Sequence, residues 1–286
     1  MRDASYGPII YHAPDADLAE MISTVYIARF DVEHFDETER ADRPQFRIRL
    51  NSSRGEYHFA GGLVVPAFGA TIIGPTSAPV RAICHGPVYL AGFGLMPAGW
   101  ATLMGPDAEQ YADRAVDAHD LFGHWIDGVA AAVAKAATDA DRVRIMQDLA
   151  REILRRGEPA PLWFTRTVDA WLASHLSPQV ADLVAASGMS SRSVERMTKR
   201  YYGVTPKMLA RKYRALRAAS ALTRGAALDE VGLAEAFYDQ SHLIREVKHF
   251  TGTTPGKLNQ LSDYARATRT GRNSLAGKVS PLIVDS

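Results

Sequence analysis

The spacing of hydrophobic and polar positions changes near residue 117. Before that point, apolar residues occur in short alternating or continuous runs that Gly and Pro interrupt, for example at 46–50, 56–59 and 87–91. Runs of this length are typical of β-strands, so they predict a β-rich barrel or sandwich. We also expect a short helix at 17–22.

From Ala118 the apolar positions recur at helical spacing. One predicted helix has apolar residues four positions apart, at Leu121, Trp125, Val129 and Val133. A second helix has an apolar stripe that contains Ile145, Leu149, Ile153 and Leu154. These helices either pack on the β-rich domain or pair with a second subunit, and for pairing Leu149 and Ile153 are the candidate surface. Pro159 and Pro161 then mark a linker.

One segment occurs twice, about 49 positions apart. Each copy has the pattern of a helix, a tight turn and a second helix, and each ends on a similar stop signal, at 203–206 and at 252–255. Downstream of the turn the matching pairs include Val194 and Leu243, Arg196 and Arg245, and Lys199 and Lys248. Upstream they are Val180 and Leu228, Leu183 and Val231, and Met189 and Phe237. The repeat predicts two helix-turn-helix units that read one polymer.

These patterns predict an α+β protein in four parts. Residues 1–116 form a β-rich regulatory domain, and 117–157 form its helical appendage with the candidate dimerisation helices. Residues 158–264 form an all-α domain with the two helix-turn-helix units. We expect 265–286 to be a flexible tail, because this segment is rich in Arg, Thr, Gly and Ser.

Charge is distributed unevenly along the chain, although the formal net charge is only +1. Residues 1–160 contain 15 Lys and Arg against 22 Asp and Glu, whereas residues 161–270 contain 16 against 9. Cationic side chains release the counterions condensed on nucleic acid, so the repeat segment is the predicted partner of double-stranded DNA. Scattered surface cations that serve solubility are the alternative interpretation.

The second helix of each copy, which we call the recognition helix, carries polar residues on one face. Ser190 and Asp239 are the expected N-caps of the two recognition helices. Arginine can donate two hydrogen bonds to guanine, and glutamate can accept one from cytosine. The residues predicted to read bases are Arg192, Glu195, Arg196, Ser241, His242 and Arg245. Contacts to the DNA backbone are predicted for Lys199, Thr205, Lys207, Arg211, Gln240, Lys248, Thr254 and Lys257.

A long helix over about 206–222 is expected to connect the two copies. To enter the major groove on one side of straight B-DNA, the recognition helices must lie about 34 Å apart. The alternative interpretation is that both faces are ordinary solvated helix surfaces.

Two motifs in the carboxy-terminal part indicate a family. The first is SSRSVER at 190–196 followed by YGVTP at 202–206, and the second is FYDQSHL at 237–243 followed by FTGTTP at 250–255. With them this part resembles the AraC/XylS transcriptional regulators. The resemblance implies a helical DNA-binding unit with two helix-turn-helix motifs, joined to a variable domain that senses a ligand or mediates pairing. The amino-terminal part resembles, more loosely, the cupin-like barrel domains attached to such regulators.

Three positions depart from the family pattern. Thr198 and Val247 stand where an aromatic residue is usual, which concerns packing more than DNA contact. Ala236 replaces the usual glycine, and this matters only if the position needs a positive φ.

The alternative function is a metal-dependent, cupin-type enzyme fused to a DNA-binding module. The β-rich region contains four isolated histidines, His12, His34, His58 and His85, with no His-x-His motif followed by Glu. A denser group is formed by Asp117, His119, Asp120 and His124, which a helix start and a surface pair explain. The sequence has no nucleophile elbow, Walker loop or Cys-x-x-Cys motif. We therefore expect no enzyme activity, no cofactor and no metal site.

Aromatic residues of the β-rich region either line an apolar ligand cavity or fill the core. The cavity candidates are Phe46, Tyr57, Phe59, Tyr89, Phe93 and Trp100. A single cysteine, Cys84, excludes an internal disulfide and fits a reducing compartment. The sequence has no apolar run of about 18 residues, so we expect a cytoplasmic protein that does not enter a membrane.

The sequence as a whole predicts a bacterial-type, sequence-specific transcriptional regulator. We expect its control either by a small-molecule effector or by pairing of two copies through the amino-terminal domain. Contact with RNA polymerase is a further partnership that this organisation allows.

Overall fold

The structure of the chain is a computed structural model that describes residues 5–105, 107–225, 232–258, 260 and 262–284. Its strands are β1 (Ser5–His12), β2 (Ile22–Asp31), β3 (His34–Glu39), β4 (Gln45–Arg49), β5 (Arg54–His58), β6 (Val64–Pro66), β7 (Ala70–Ile73), β8 (Val80–His85), β9 (Val88–Leu95) and β10 (Ala115–Asp117). The helices of the amino-terminal half are α1 (Pro97–Met104), α2 (Ala108–Tyr111), α3 (Ala118–Phe122), α4 (Trp125–Lys135) and α5 (Asp139–Arg156). The remaining helices are α6 (Leu162–Ser174), α7 (Val180–Ser187), α8 (Ser191–Tyr202), α9 (Pro206–Thr223), α10 (Leu233–Ala236), α11 (Gln240–Thr251), α12 (Asp263–Asn273) and α13 (Pro281–Val284).

The strands form two antiparallel sheets. The larger sheet has the order β1-β2-β9-β4-β7-β10, and the smaller has the order β3-β8-β5-β6. The predicted β-rich amino-terminal domain and helical carboxy-terminal domain are thereby confirmed. Because both sheets have free edge strands among the described residues, the arrangement is a two-sheet sandwich and the word barrel applies only loosely.

Strand β4 shows how the two faces of the larger sheet differ. Phe46 and Ile48 are buried against the helices that cover its outer face. Successive side chains of a strand point to opposite faces, so Gln45, Arg47 and Arg49 point toward the smaller sheet. The space between the sheets therefore receives polar side chains as well as apolar ones.

Helices α1, α3, α4 and α5 cover the outer face of the larger sheet. Their apolar residues join one core with the sheet, and Leu149 and Ile153 are 3% and 2% exposed within it. The prediction that these two residues form a dimer surface is therefore wrong, because the sheet of the same chain already covers them.

The early helix expected at 17–22 is also wrong. A 3-10 helix spans only Ala16–Leu18, and strand β2 begins at Ile22, which is fully buried. The β-branched residues that follow in β2 favour the extended conformation, and the pairing of β2 with β1 and β9 fixes it.

The carboxy-terminal helices form two small cores on opposite ends of α9. Phe164, Trp171, Leu183, Val194 and Leu209 lie in the first core, which holds the first helix-turn-helix unit. The second core contains Phe237, Leu243, Val247 and Leu258 together with alanines of α9. Leu228 and Val231, which the repeat pairs with Val180 and Leu183, lie outside the described residues. No described helix is both long and apolar enough to cross a membrane.

Helix α9 also contacts the amino-terminal domain directly. The Lys212 ammonium is buried and donates hydrogen bonds to the backbone oxygens of Asp42 at 2.6 Å and Thr76 at 2.8 Å. Burial lowers the pKa of Lys212 to about 8. The two domains thus share a polar contact at the middle of the helix that joins the two helix-turn-helix units.

The segment expected to be a flexible tail, 265–286, contains most of helix α12, which packs on β1. Gly271 permits the close approach, because a Cβ at that position would lie 2.5 Å from the backbone oxygen of Ile9. The Tyr264 ring contacts Phe30 and Phe35 edge-on, with centroids 5.7 and 5.3 Å apart. The tail prediction is wrong over this helix, because its order comes from tertiary contacts that a polar composition does not reveal.

Candidate functional site

The first recognition helix is α8, and its start is built as expected. Ser190 is the N-cap, and its hydroxyl accepts a hydrogen bond from the backbone N–H of Ser193 at 3.3 Å. Val194 and Thr198 are fully buried. The opposite face exposes Arg192, Glu195 and Arg196, so three of the predicted base-reading residues stand together at the surface.

The cationic end of α8 is paired with the amino-terminal domain. The Lys199 ammonium lies 3.1 Å from Glu109 and 3.8 Å from Glu195, and Arg200 lies 3.2 Å from Asp107. The hydrogen bond to Glu109 raises the pKa of Lys199. Two carboxylates of the amino-terminal domain therefore stand beside the face that is predicted to meet DNA.

The end of α8 also approaches the amino-terminal domain closely at Gly203. Gly203 ends α8 with a φ of 79°, in the left-handed region. A Cβ there would lie 2.5 Å from Cγ of Pro75 and 3.2 Å from the backbone oxygen of Ala108. The glycine of the first stop signal thus serves both the helix end and the contact between domains.

The second recognition helix is α11, and its N-cap is also confirmed. Asp239 Oδ1 accepts a hydrogen bond from the backbone N–H of His242 at 2.6 Å. Ser241 and Arg245 are exposed. His242 is half-buried, since its Nδ1 accepts from the backbone N–H of Tyr238 at 3.2 Å and its ring packs edge-on against Phe237. His242 therefore supports the turn as well as facing the surface.

The predicted backbone contacts fall into two groups. The exposed residues are Gln240, Lys207, Lys248 and Lys257, and the half-buried residues are Lys199, Thr205, Thr254 and Arg211. Thr205 caps α9, because its hydroxyl accepts from the backbone N–H of Met208 at 3.2 Å. The exposed lysines remain the simplest candidates for phosphate contact.

Arg211 is engaged inside the protein by a residue that the sequence interpretation missed. Glu246 is 5% exposed and lies on α11. Its carboxylate accepts from Arg211 at 2.7 and 3.1 Å and from Arg214 at 3.3 Å. Bonding to Glu246 raises the pKa of Arg211. The repeat did indicate that position 246 faces inward, because the matching residue of the first copy is Met197, which packs against the core.

A cavity of about 170 Å³ lies between the two sheets and reaches the carboxy-terminal domain. Among the aromatic residues predicted to line it, Tyr57 does so. Phe46, Phe93 and Trp100 are fully buried in the core on the outer face of the larger sheet. Phe59 and Tyr89 also do not line the cavity. The pleat explains this, since the inward residues lie next to the predicted ones: Gln45 and Arg47 flank Phe46 on β4, and Val88 and Leu90 flank Tyr89 on β9.

The lining includes residues that sequence reasoning missed. Aromatic surface comes from Tyr11, Tyr26, Phe30, Phe35 and Tyr264, and polar groups come from Gln45, Arg47, Arg49 and Thr268. Arg47 donates to Glu39 at 2.7 and 2.8 Å and to the Tyr26 hydroxyl at 3.1 Å. Burial raises the pKa of Tyr26, so this hydroxyl stays protonated. The only sequence signal was the alternation of charged and apolar residues along β4.

The histidines of the β-rich region do not form a metal-binding group with other ligands within the described ranges. The group that does bring three ligand atoms within 4.8 Å of one another consists of His119, His124 and Asp127, at the surface. The side chains of His124 and Asp127 are 92% and 58% exposed. The cupin-type enzyme alternative thus has no specific observation in its favour in this part of the chain.

The carboxy-terminal region is similar to a known protein family. Residues 183–260 match a family model described as a helix-turn-helix domain. No curated protein matches the chain.

Among solved structures, ToxT from Vibrio cholerae in a P21 crystal form is 8% identical, covers 83% of this chain and 98% of its own, and has a TM-score of 0.48. Wild-type ToxT with a bound unsaturated fatty acid is 8% identical, with coverage of 82% and 96% and a TM-score of 0.47. The AraC-like transcriptional activator CuxR is 14% identical, with coverage of 74% and 80% and a TM-score of 0.31.

The matched region contains both recognition helices, both confirmed N-caps and both stop signals. Residues 183–260 of this chain are therefore a helix-turn-helix region of the AraC type that contains both recognition helices.

Proposed function

We propose that the chain is a sequence-specific transcriptional regulator whose DNA binding is controlled by a small molecule held in its amino-terminal domain. The double helix-turn-helix domain supports the DNA-binding part of this proposal. The interior cavity supports the control by a small molecule, because it is lined by residues of both domains. Pairing of two copies, contact with RNA polymerase and the domain boundaries at 116, 157 and 264 stay predictions.

The proposal that this domain reads DNA bases is supported mainly by the exposed faces of the two recognition helices, which present arginine at equivalent positions. Arg196 on α8 and Arg245 on α11 are both exposed, and each lies six residues after its confirmed N-cap. An exposed arginine at this point of a helix can donate to the O6 and N7 atoms of guanine when the helix lies in a major groove. Lys207 and Lys257 follow the two stop signals and are exposed on the same domain, where they can meet phosphates.

The observation that favours control through the cavity is its position. Its lining joins Tyr57 and Arg49 of the β-rich domain to Thr223 of α9 and Thr251 of α11. A molecule in this cavity contacts the helix that joins the two units and the end of the second recognition helix. A ligand with different affinities for two arrangements of the domains shifts the balance between them.

Selection of duplexes from a random library by the purified full-length chain tests the proposal. We expect enrichment of two short half-sites about one helical turn apart. The selected duplex and a scrambled duplex are then compared in gel-shift titrations at several salt concentrations, where specific binding is expected to be at least about 1000-fold tighter. Equal affinity for the two duplexes, or no enriched sequence, contradicts the proposal.

A further inference from the structure

Strand β4 carries charge into the space between the sheets, where a sandwich core is normally apolar. Its three inward residues are Gln45, Arg47 and Arg49, and all of them line the cavity. A buried charge without a partner is energetically costly, so each buried cation of this cavity needs an opposite charge or hydrogen bonds to balance it.

The carboxylates that line the cavity are already engaged. Glu39 binds Arg47, Asp42 binds Arg272, and Glu56 lies 2.6 Å from Nε2 of His58. The lining cations Arg47 and Arg272 are balanced by these pairs. The described residues of the lining still include five arginines against three carboxylates, so their summed formal charge is positive.

Arg49 differs from the balanced arginines. Its Nη1 donates to the Ser53 hydroxyl at 2.8 Å and lies 3.5 Å from the sulfur of Cys84, and no carboxylate of the described residues pairs with it. Its Nε is buried and has no hydrogen-bond partner in this part of the chain. The hydroxyl of Thr268, another lining residue, is buried and unpartnered in the same way. Two buried polar atoms that lack hydrogen-bond partners line the same cavity, which indicates that a molecule bound there can supply the missing hydrogen bonds.

Most of the accessible wall of the cavity is apolar. It includes the rings of Tyr11, Tyr26, Phe30, Phe35 and Tyr264 together with aliphatic side chains such as Ile9, Val88 and Leu90. The volume of about 170 Å³ is close to that of an engineered apolar cavity, about 150 Å³, that binds benzene. The apolar part of a fitting ligand is thus about as large as one six-membered ring.

From this geometry we infer that the cavity binds a compact organic anion, with its anionic group on Arg49 and its apolar part between the aromatic rings. This inference rests on the proposed control by a small molecule and names the chemical class of that molecule. A carboxylate satisfies the guanidinium of Arg49 with charge-assisted hydrogen bonds. A neutral molecule of the same shape leaves the cation unbalanced.

Calorimetric titration of the full-length chain with matched acids and amides tests the inference. The probes are cyclohexanecarboxylate and hexanoate, each compared with its amide. We expect the acids to bind at least about tenfold more tightly than the amides, because charge-assisted hydrogen bonds are about twice as strong as neutral ones. Arg49→Gln is expected to abolish this preference, and Arg49→Lys to keep part of it. Arg54→Gln, at an exposed arginine of β5, is the matched control and is expected to bind like the parent chain.

Three results overturn the inference: neither acid binds, acid and amide bind equally, or Arg49→Gln keeps the preference. A thermal melt of each variant establishes that it is folded before titration. Gel shifts with the selected duplex on the same preparations separate the two proposals. Loss of sequence-specific DNA binding refutes the proposed function, whereas the acid and amide titrations judge the anion site alone.

Discussion

Glu246 on the second recognition helix holds Arg211 of the connecting helix α9 through two hydrogen bonds, at 2.7 and 3.1 Å. Arg214 approaches the same carboxylate from one turn further along α9. The side chain of Glu246 is 7% exposed, so its carboxylate lies within the domain rather than on its surface. This contact joins α11 to α9 beside the apolar core that the two helices share.

We expect Glu246→Gln to destabilise the carboxy-terminal domain by about 3 kcal/mol, because loss of one charge leaves two arginines without a buried counterion. Urea unfolding followed by circular dichroism measures this loss. Glu195→Gln, on the exposed face of α8, is the control and is expected to change stability by less than about 0.5 kcal/mol. Equal losses for both variants contradict the structural role of Glu246.

Arg196→Ala and Arg245→Ala test base reading. Each is expected to weaken binding to the selected duplex by roughly 1–3 kcal/mol and to affect random duplex much less. Lys207→Ala, at an exposed residue beyond the first stop signal, is expected to weaken binding to both duplexes alike and to reduce the salt dependence. Gel-shift titrations give all of these affinities. If the arginine variants lose the same factor on both duplexes, these residues contact the backbone and not the bases.

The contact between Asp42 and Arg272 is expected to make stability depend on acid pH. Burial alone raises the pKa of Asp42, but Arg272, Arg40 and Lys212 outweigh it and hold that pKa well below its usual range. Because the folded value is the lower one, the stabilisation is complete above the ordinary carboxyl pKa near 4 and is lost as pH falls below it.

The free energy of unfolding of the parent chain is therefore expected to fall by at least about 1 kcal/mol more than that of Asp42→Asn between pH 5 and about pH 2.5. Urea titrations at several pH values measure the difference. Asp263→Asn, at an exposed position of α12, serves as the control. Parallel pH profiles for the parent and Asp42→Asn would mean that the carboxylate contributes nothing through its charge.

The parts of this fold that sequence predicted are those decided by local interactions. Ser190 and Asp239 cap their helices through bonds to residues three positions away, so the sequence contains both partners. The inward position of Arg49 is different, because it depends on which face of the larger sheet the helices cover. A period of two identifies the two faces of β4 but not which of them is inside.

Helix α12 is a second element whose tertiary packing could not be predicted from the sequence. Its sequence is polar, with an N-cap at Ser262, and alone it indicates little. The helix is held by Tyr264 against Phe30 and Phe35, and by Arg272 on Asp42, across more than 200 positions of sequence. Contacts of this separation are not visible in any window of the sequence, which is why composition predicted a tail.

The acidic residues beside the first recognition helix should oppose DNA binding. Asp107 and Glu109 pair with Arg200 and Lys199, so they compete with phosphates for the same cations and repel the duplex. We expect the double variant Asp107→Asn with Glu109→Gln to bind the selected duplex about threefold to tenfold more tightly at low salt, with a smaller difference at high salt. The control is Glu33→Gln with Glu158→Gln, which changes the net charge equally at exposed sites away from α8. Gel-shift titrations compare the three proteins. A matching gain in the control would show that overall charge, and not the contact with Lys199 and Arg200, sets the affinity.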